Sequence, residues 1–192
     1  MSKVTFNSDN EVLEMISPEN EKVHFPDIVV TAGKAVEVWM GDLEAGMCNA
    51  IRKSMENGVL SYPNMDRCEW VLNNVAQIVI NGSQVHWTAE VEDAFVKGTI
   101  ADYAQKLSQQ ILDLIMTLRK GVGKMQKKTI GALVVIDVHA KDIIHGFVEK
   151  GITDKSSFEW MSQLRYYWEH DDRGMDNLWV KCVQTSFPYG YE

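Results

Sequence analysis

Between Tyr103 and Leu118 the apolar side chains Tyr103, Leu107, Ile111, Leu114, Ile115 and Leu118 recur at mostly three- and four-residue intervals, and Lys106, Gln109, Gln110 and Asp113 lie outside that stripe. An α-helix turns once every ~3.6 residues, so this spacing lays one apolar stripe against a core and leaves the opposite side in water. Gly121 and Gly123 follow it. The period resumes over about 128–149 through Ile136, Ala140, Ile143, Ile144 and Phe147, and Gly151 comes next. Ala132–Ile136 alone would suit a strand, but the length of the periodic stretch decides for a helix. Two long helices on either side of a glycine-containing connection commit the middle of the chain to helix-on-helix packing.

The flanks read differently. Residues 1–10 are polar and are expected to be a frayed N-terminal tail. Residues 11–33 hold Val12–Ile16 and Lys22–Phe25 around Ser17-Pro18-Glu19-Asn20, a turn sequence in which Pro18 presets φ, so a hairpin ending at Pro26 is expected. A helix is expected over 34–57 from the spacing of Val36, Trp39, Leu43, Met47, Ala50, Ile51 and Met55, with Gly58 placed to close it. Residues 65–98 admit two readings. Asn81-Gly82 between Gln77–Ile80 and Ser83–Trp87 is a strong hairpin signal. The rival is a long helix with Val71, Val75, Ile78, Gly82, Val85 and Ala89 on one side, and pattern alone leaves the two even. Ser156 and Glu159 have the spacing of a capping box that opens a short helix. From Leu164 the period becomes two, through Tyr166 and Trp168. After the turn-rich Asp171–Gly174 it continues from Leu178 to Phe187, so a second hairpin is expected.

Hydrophobic residues make up 45% of the 192 residues, enough for a core without covalent staples. Cys48, Cys68 and Cys182 are odd in number and far apart, which suggests reduced thiols, with neither a zinc site nor a disulfide framework. No apolar run reaches the ~18 residues of a membrane span. Asn81-Gly82-Ser83 matches a glycosylation sequon, read as chance because no signal peptide precedes it. The net charge of −8 argues against a broad grip on nucleic acid or an anionic membrane. One local exception is the cluster Lys120, Lys124, Lys127 and Lys128, for which a solvated basic loop is the simplest account.

No phosphate-loop, dinucleotide, esterase or zinc-protease motif occurs. Gly121-Val122-Gly123-Lys124 lacks the spacing and hydroxyl of a phosphate loop. Asp137, His139, His145 and Glu149 are the best metal candidates; His145 and Glu149 share a helix face, and His139 lies off it. The alternative is an Asp–His pair that packs one helix on its neighbours, and it outweighs the metal reading. Trp39, Trp70, Trp87, Trp160, Trp168 and Trp179 are read as packing rather than as a ligand cage. No catalytic, cofactor-binding or metal residue is assigned.

Several runs are similar to axonemal dynein heavy chains. They are Gly131–Ala140 (GALVVIDVHA) with Lys141-Asp142; Phe158-Glu159-Trp160 with Gln163-Leu164-Arg165-Tyr166-Tyr167-Trp168; and the ending Phe187-Pro188-Tyr189-Gly190-Tyr191-Glu192. Glu69–Leu72, Ser83–Val85 with Trp87, Glu90-Val91-Glu92, Ile16–Glu19, Glu21–Val23 and Val36–Trp39 fit as well. The resemblance covers nearly the whole chain; each motif is weak alone, and together they are specific. Lys141 stands where an arginine is common in the family, and Asp171–Met175 resembles an insertion.

The resemblance implies the C-terminal part of the linker, a mostly helical rod that bends over a ring of AAA+ modules and precedes the first of them. It favours helix at Asn81-Gly82. It implies ATP and Mg²⁺ in the full-length motor and none in this segment, with the phosphate loop, stalk and microtubule-binding tip outside it. The partners implied are the AAA+ ring of the same heavy chain and, through other regions, dynein subunits and microtubules. No nucleic acid or membrane is implied, and the place is the cytoskeleton of a cilium or flagellum axoneme.

The expected fold is mainly α: a helical bundle over 34–163 with short β-hairpins near both ends, the second (164–192) leading towards the ring. The expected function is that of a mechanical lever in a microtubule-motor ATPase, without an enzymatic site of its own. The alternatives are a free-standing helical scaffold that binds partners, and an enzyme built on Asp137, His139 and His145.

Overall fold

The structure, a computed structural model, describes residues 3–171 and 174–191. Among the described residues it is mainly helical, with six α-helices and two three-stranded antiparallel sheets. Packing divides the described chain inside a helix. One unit runs to Asn57 and takes in Gly190 and Tyr191; the other is Gly58–Tyr189.

The first unit opens with β1 (Lys3–Phe6), β2 (Glu11–Ile16) and β3 (Lys22–Val30), in the order β1-β2-β3. The expected tail is therefore a strand from Lys3 onward; residues 1 and 2 lie outside the described residues. It pairs because Asn7 and Asn10 build a turn: the Asn7 Oδ1 accepts from the Asp9 and Glu11 amides at 2.9 Å each, and Asn10 has φ 60°. The expected Ser17–Asn20 turn is present, with Ser17 Oγ accepting from the Glu19 and Glu21 amides at 3.2 and 3.1 Å. The hairpin does not end at Pro26. β3 bulges, so that Glu14 pairs with His24 but Val12 with Val29, and Pro26 sits in the irregular stretch, where no ladder amide is needed. The helix α1 (Val36–Ser61) follows and presses Gly46 onto β3, where an added Cβ would stand 2.8 Å from Val29 Cγ2 and 3.0 Å from Phe25 Cε1.

Gly58 does not close α1. It lies within the helix, and its missing side chain makes room for Ile78, whose Cγ2 would be 2.3 Å from a Cβ there. The second unit continues with a 3₁₀ turn (Tyr62–Asn64), then α2 (Arg67–Asn73), α3 (Ala76–Lys97), α4 (Ile100–Arg119), α5 (Lys124–Lys150) and α6 (Phe158–Met161). Asn74 and Val75 are extended, so the region read as one long helix is two. Asn81 and Gly82 lie inside α3, as the resemblance implies and against the local hairpin signal. Gly151 caps α5 at φ 66° as expected. The capping box does not form. Asp154 takes both the amide and the hydroxyl of Ser156, at 2.8 and 2.6 Å, and the helix starts after Ser157.

The expected C-terminal hairpin is a three-stranded sheet of β4 (Arg165–His170), β5 (Asp176–Cys182) and β6 (Thr185–Pro188), in the order β4-β5-β6. The run Leu178–Phe187 breaks at Val183, which turns at φ 53°. Of the expected Asp171–Gly174 turn, residues 172 and 173 lie outside the described residues, as does Glu192.

α4 and α5 pack along each other as a helical hairpin. Two apolar cores form around them. One gathers Trp87, Phe95, Leu107, Ile144, Phe147 and Trp160, with the Trp87 and Trp160 rings edge to face at 5.3 Å. The other gathers Trp70, Val79, Leu114, Ile130 and Leu133.

Candidate functional site

The last turn of α1 shows how the bundle is tied together. In an α-helix the amide four residues on bonds each carbonyl, but position 63 is proline, which has no N–H to give to Val59. Side chains from other elements take over. The Trp70 Nε1–H of α2 donates to the Gly58 carbonyl at 2.9 Å, and His86 Nε2 of α3 bonds the Val59 carbonyl at 3.1 Å. Asn64 Nδ2 donates to the Leu60 carbonyl at 3.1 Å. A carbonyl only accepts, so His86 carries its proton on Nε2. Its ring stacks on Tyr62 at 3.9 Å and an interplanar angle of 10°, and Tyr62 meets Trp70 edge-on at 5.0 Å. Burial holds the His86 pKa below the ordinary imidazole value.

Next to this cap lies a buried ion pair. Asp66 caps α2, its Oδ1 accepting from the Cys68 and Glu69 amides at 2.9 and 3.3 Å, and so fixes Arg67 as the first helical residue. The Arg67 guanidinium donates to both Asp137 oxygens of α5 at 2.8 and 2.9 Å. Burial pushes the Asp137 carboxyl up, and the two Arg67 bonds oppose that shift. Tyr62 also bonds Arg67, and burial raises the Tyr62 phenol. Further along α3, Glu90 takes the Tyr103 hydroxyl and the Lys106 ammonium of α4, the latter at 2.9 Å. Burial first, and then Glu90, raises the Tyr103 phenol. Helices α2 to α5 are thus cross-linked by polar contacts that demand one alignment.

A second joint fixes the C-terminal sheet to α3. Thr88 Oγ1 donates to its own Gln84 carbonyl at 2.9 Å and accepts from the Tyr166 amide at 3.0 Å. The Tyr167 hydroxyl donates to Glu92 at 2.5 Å. Just beyond β6, the Tyr189 hydroxyl accepts from Gln77 Nε2 at 2.8 Å and Asn81 Nδ2 at 3.0 Å. Arg165, itself buried, donates to the Val183 carbonyl at 3.1 Å and braces the β5–β6 turn.

The metal candidates do not come together. Asp137 is engaged by Arg67; His139 and His145 are exposed on α5, where His139 borders an apolar groove with Ile80, Val135 and Leu164. Among the described residues no group of three His, Cys, Asp or Glu side chains is placed to hold a metal ion. Gly121–Gly123 is the connection between α4 and α5, where Gln126 Oε1 accepts from the Gly123 amide at 3.0 Å. Trp70, Trp87 and Trp160 are core residues. Sequence reasoning missed Arg67, Tyr62, His86, Glu90 and Thr88. Only Asp66, a helix-capping type ahead of an apolar run, gave a local signal.

Residues 1–58 match the family described as dynein heavy chain, N-terminal region 2. Over its whole length the chain is 36% identical to dynein axonemal heavy chain 1 of Mus musculus and 34% identical to that of Homo sapiens, covering 4% of each relative. It is 36% identical to dynein axonemal heavy chain 3 of Mus musculus, again over the whole chain, and covers 5% of that relative. The segment is thus a small part of the length of the proteins it matches. With residues 1–58 matching that family and every part of the chain aligned to such relatives, the chain is similar over its whole length to a segment of the axonemal dynein heavy chains.

Proposed function

We propose that this chain is the C-terminal part of a dynein linker, a stiff segment that passes ATP-driven changes of an AAA+ ring through helices rather than through chemistry of its own. In this reading residues 34–163 form the helical body and residues 164–192 the junction towards the ring. The full-length protein is a microtubule-motor ATPase of the axoneme in a cilium or flagellum. It takes ATP and Mg²⁺ at sites outside this segment. The segment's own partner is the AAA+ ring of the same heavy chain; the partner subunits and the microtubule are reached by other regions.

The observation that carries the reading is the bonding of the C-terminal sheet to α3 through Thr88, Glu92 and Tyr189. Force applied at residue 189 meets directional bonds and a close-packed interior, which resists compression and transmits strain. Helices α2 to α5, cross-linked through Arg67–Asp137 and Glu90, then move as one body.

The test uses a full-length heavy chain that carries this segment. A flexible Gly/Ser insertion after Gly174, which is exposed and precedes β5, lengthens a surface connection, which costs little. The same insertion after Tyr189 interrupts the path beyond the bonded sheet. ATP hydrolysis should persist in both, and microtubule gliding should slow sharply only in the second. Equal gliding speeds would show that the segment does not carry the stroke.

A further inference from the structure

From Leu114 to Ile136 the chain has no aspartate or glutamate, while Arg119, Lys120, Lys124, Lys127 and Lys128 fall within residues 119–128. The fold brings these five to one end of the α4–α5 hairpin, and all five are exposed. The carboxylates that bound the run are already engaged: Asp113 accepts from Gln109 at 2.9 Å, and Asp137 is held by Arg67. Lys22, Lys53, Lys97 and Lys181 each pair with a carboxylate, whereas Arg119, Lys120, Lys124 and Lys127 pair with none among the described residues. Three of the lysines stand in the first two turns of α5, where the helix dipole disfavours positive charge, and no acidic residue offsets them in the first turn. Folding therefore gathers five cations at one place, four of them without a carboxylate partner among the described residues, on a protein whose net charge is −8.

We propose that this end of the α4–α5 hairpin is a docking surface for an acidic, flexible polypeptide segment. Four of the five cations are lysines, point charges on mobile stems that meet carboxylates without a fixed geometry. No aromatic side chain occurs in residues 116–128, so the patch offers neither a stacking platform for bases nor an aromatic anchor for a membrane interface. A short acidic segment engages the patch without bringing a long polyanion against the acidic remainder of the surface.

The test measures anisotropy of a labelled decaglutamate peptide with the 192-residue chain at low ionic strength. Saturable binding is expected, weakened about ten-fold or more by Lys124→Gln/Lys127→Gln/Lys128→Gln and falling with added salt. Lys97→Gln/Lys150→Gln/Lys155→Gln removes the same charge elsewhere and should change binding less than about two-fold. Lys124→Gln/Lys127→Gln should melt no lower than the parent, because it relieves the charge at the start of α5. Absence of saturable binding, equal weakening by the two triple variants, or tighter binding of an oligothymidylate or a phosphatidylserine vesicle than of decaglutamate would overturn the proposal.

Discussion

In the first sheet, β3 meets α1 where Gly46 has no side chain, and Phe25 and Val29 fill the space. In the second sheet, β4 and the residue beyond β6 meet α3 through Thr88, Glu92, Gln77 and Asn81. Both sheets have three antiparallel strands in sequence order, yet the first carries two register shifts and the second none. Apolar contact has no preferred direction, so a bulged strand still covers its helix. A hydrogen bond to a buried amide does have one, and leaving that amide without a partner costs free energy. The region around α3 is thus fixed in alignment as well as in proximity, and it should break abruptly where the first unit yields.

Arg67 is where the largest effect is expected. Arg67→Met leaves the buried Asp137 carboxylate without its partner, and urea unfolding should show a loss of about 3–5 kcal/mol. Arg67→Met/Asp137→Leu should recover most of that loss. A double variant as unstable as the single one would mean that alignment by this pair is not what the helices need.

Thr88→Val keeps the shape and removes the acceptor of the Tyr166 amide. A loss of about 1–3 kcal/mol is expected from chemical denaturation. If the variant unfolds with the parent, β4 is held no more directionally than β3.

The same methyl group added at Gly82 and at Gly46 should give different results. At Gly82 it meets Trp70 Cη2 and Cζ2, each at 3.0 Å, on a fully buried ring held by its bond to Gly58. Overpacking of about 1–3 kcal/mol should exceed the ~1 kcal/mol that alanine gains in a helix, so Gly82→Ala should melt lower. At Gly46 the methyl stands closer still, 2.8 Å from Val29 Cγ2 and 3.0 Å from Phe25 Cε1, but the irregular strand β3 can shift to admit it, so a smaller loss than at Gly82 is expected. Identical shifts in the two melts would erase the contrast between the regions.

The smallest effect concerns pH. His86 has a lower pKa folded than the 6.5 of an unfolded imidazole, because burial outweighs the Val59 carbonyl and Glu90, with Lys106 adding to burial. As pH falls through that unfolded value, the unfolded chain takes up the proton first, so this contribution is present above pH ~6.5 and is lost below it. The stability difference between the parent and His86→Asn should therefore narrow between about pH 7.5 and 5 in melting experiments. A constant difference across that range would mean that His86 is not held neutral by its surroundings.

Helix α4 was plain in the sequence because one side of it stays wet: Tyr103, Leu107, Ile111 and Leu114 are buried as their spacing requires. α3 was not, because buried residues surround it and no stripe survives. Its Asn81-Gly82 looks like a turn locally. The pair is chosen by distant demands: Gly82 lies beneath the Trp70 ring, and Asn81 reaches Tyr189, 108 positions away. Only the likeness to axonemal dyneins favoured the helix there. Gly58 misled for a similar reason, since a glycine that admits Ile78 reads the same as one that ends a helix. Asp137 stood out as a titratable residue, but its partner Arg67 is 70 positions earlier, and no local pattern connects them.

The end of α1 is only partly local. Proline removes one donor, and Trp70 and His86 supply hydrogens from α2 and α3. The length of α1 is therefore a property shared by three helices. Substitutions at 58 and 59 are tied to positions 70, 78 and 86: a larger residue at 58 calls for a smaller one at 78, and a donor lost at 86 leaves the Val59 carbonyl bare. Among related sequences this dependence would show as covariation between distant columns, and a graft of α1 into another scaffold would have to carry Trp70 and His86 with it.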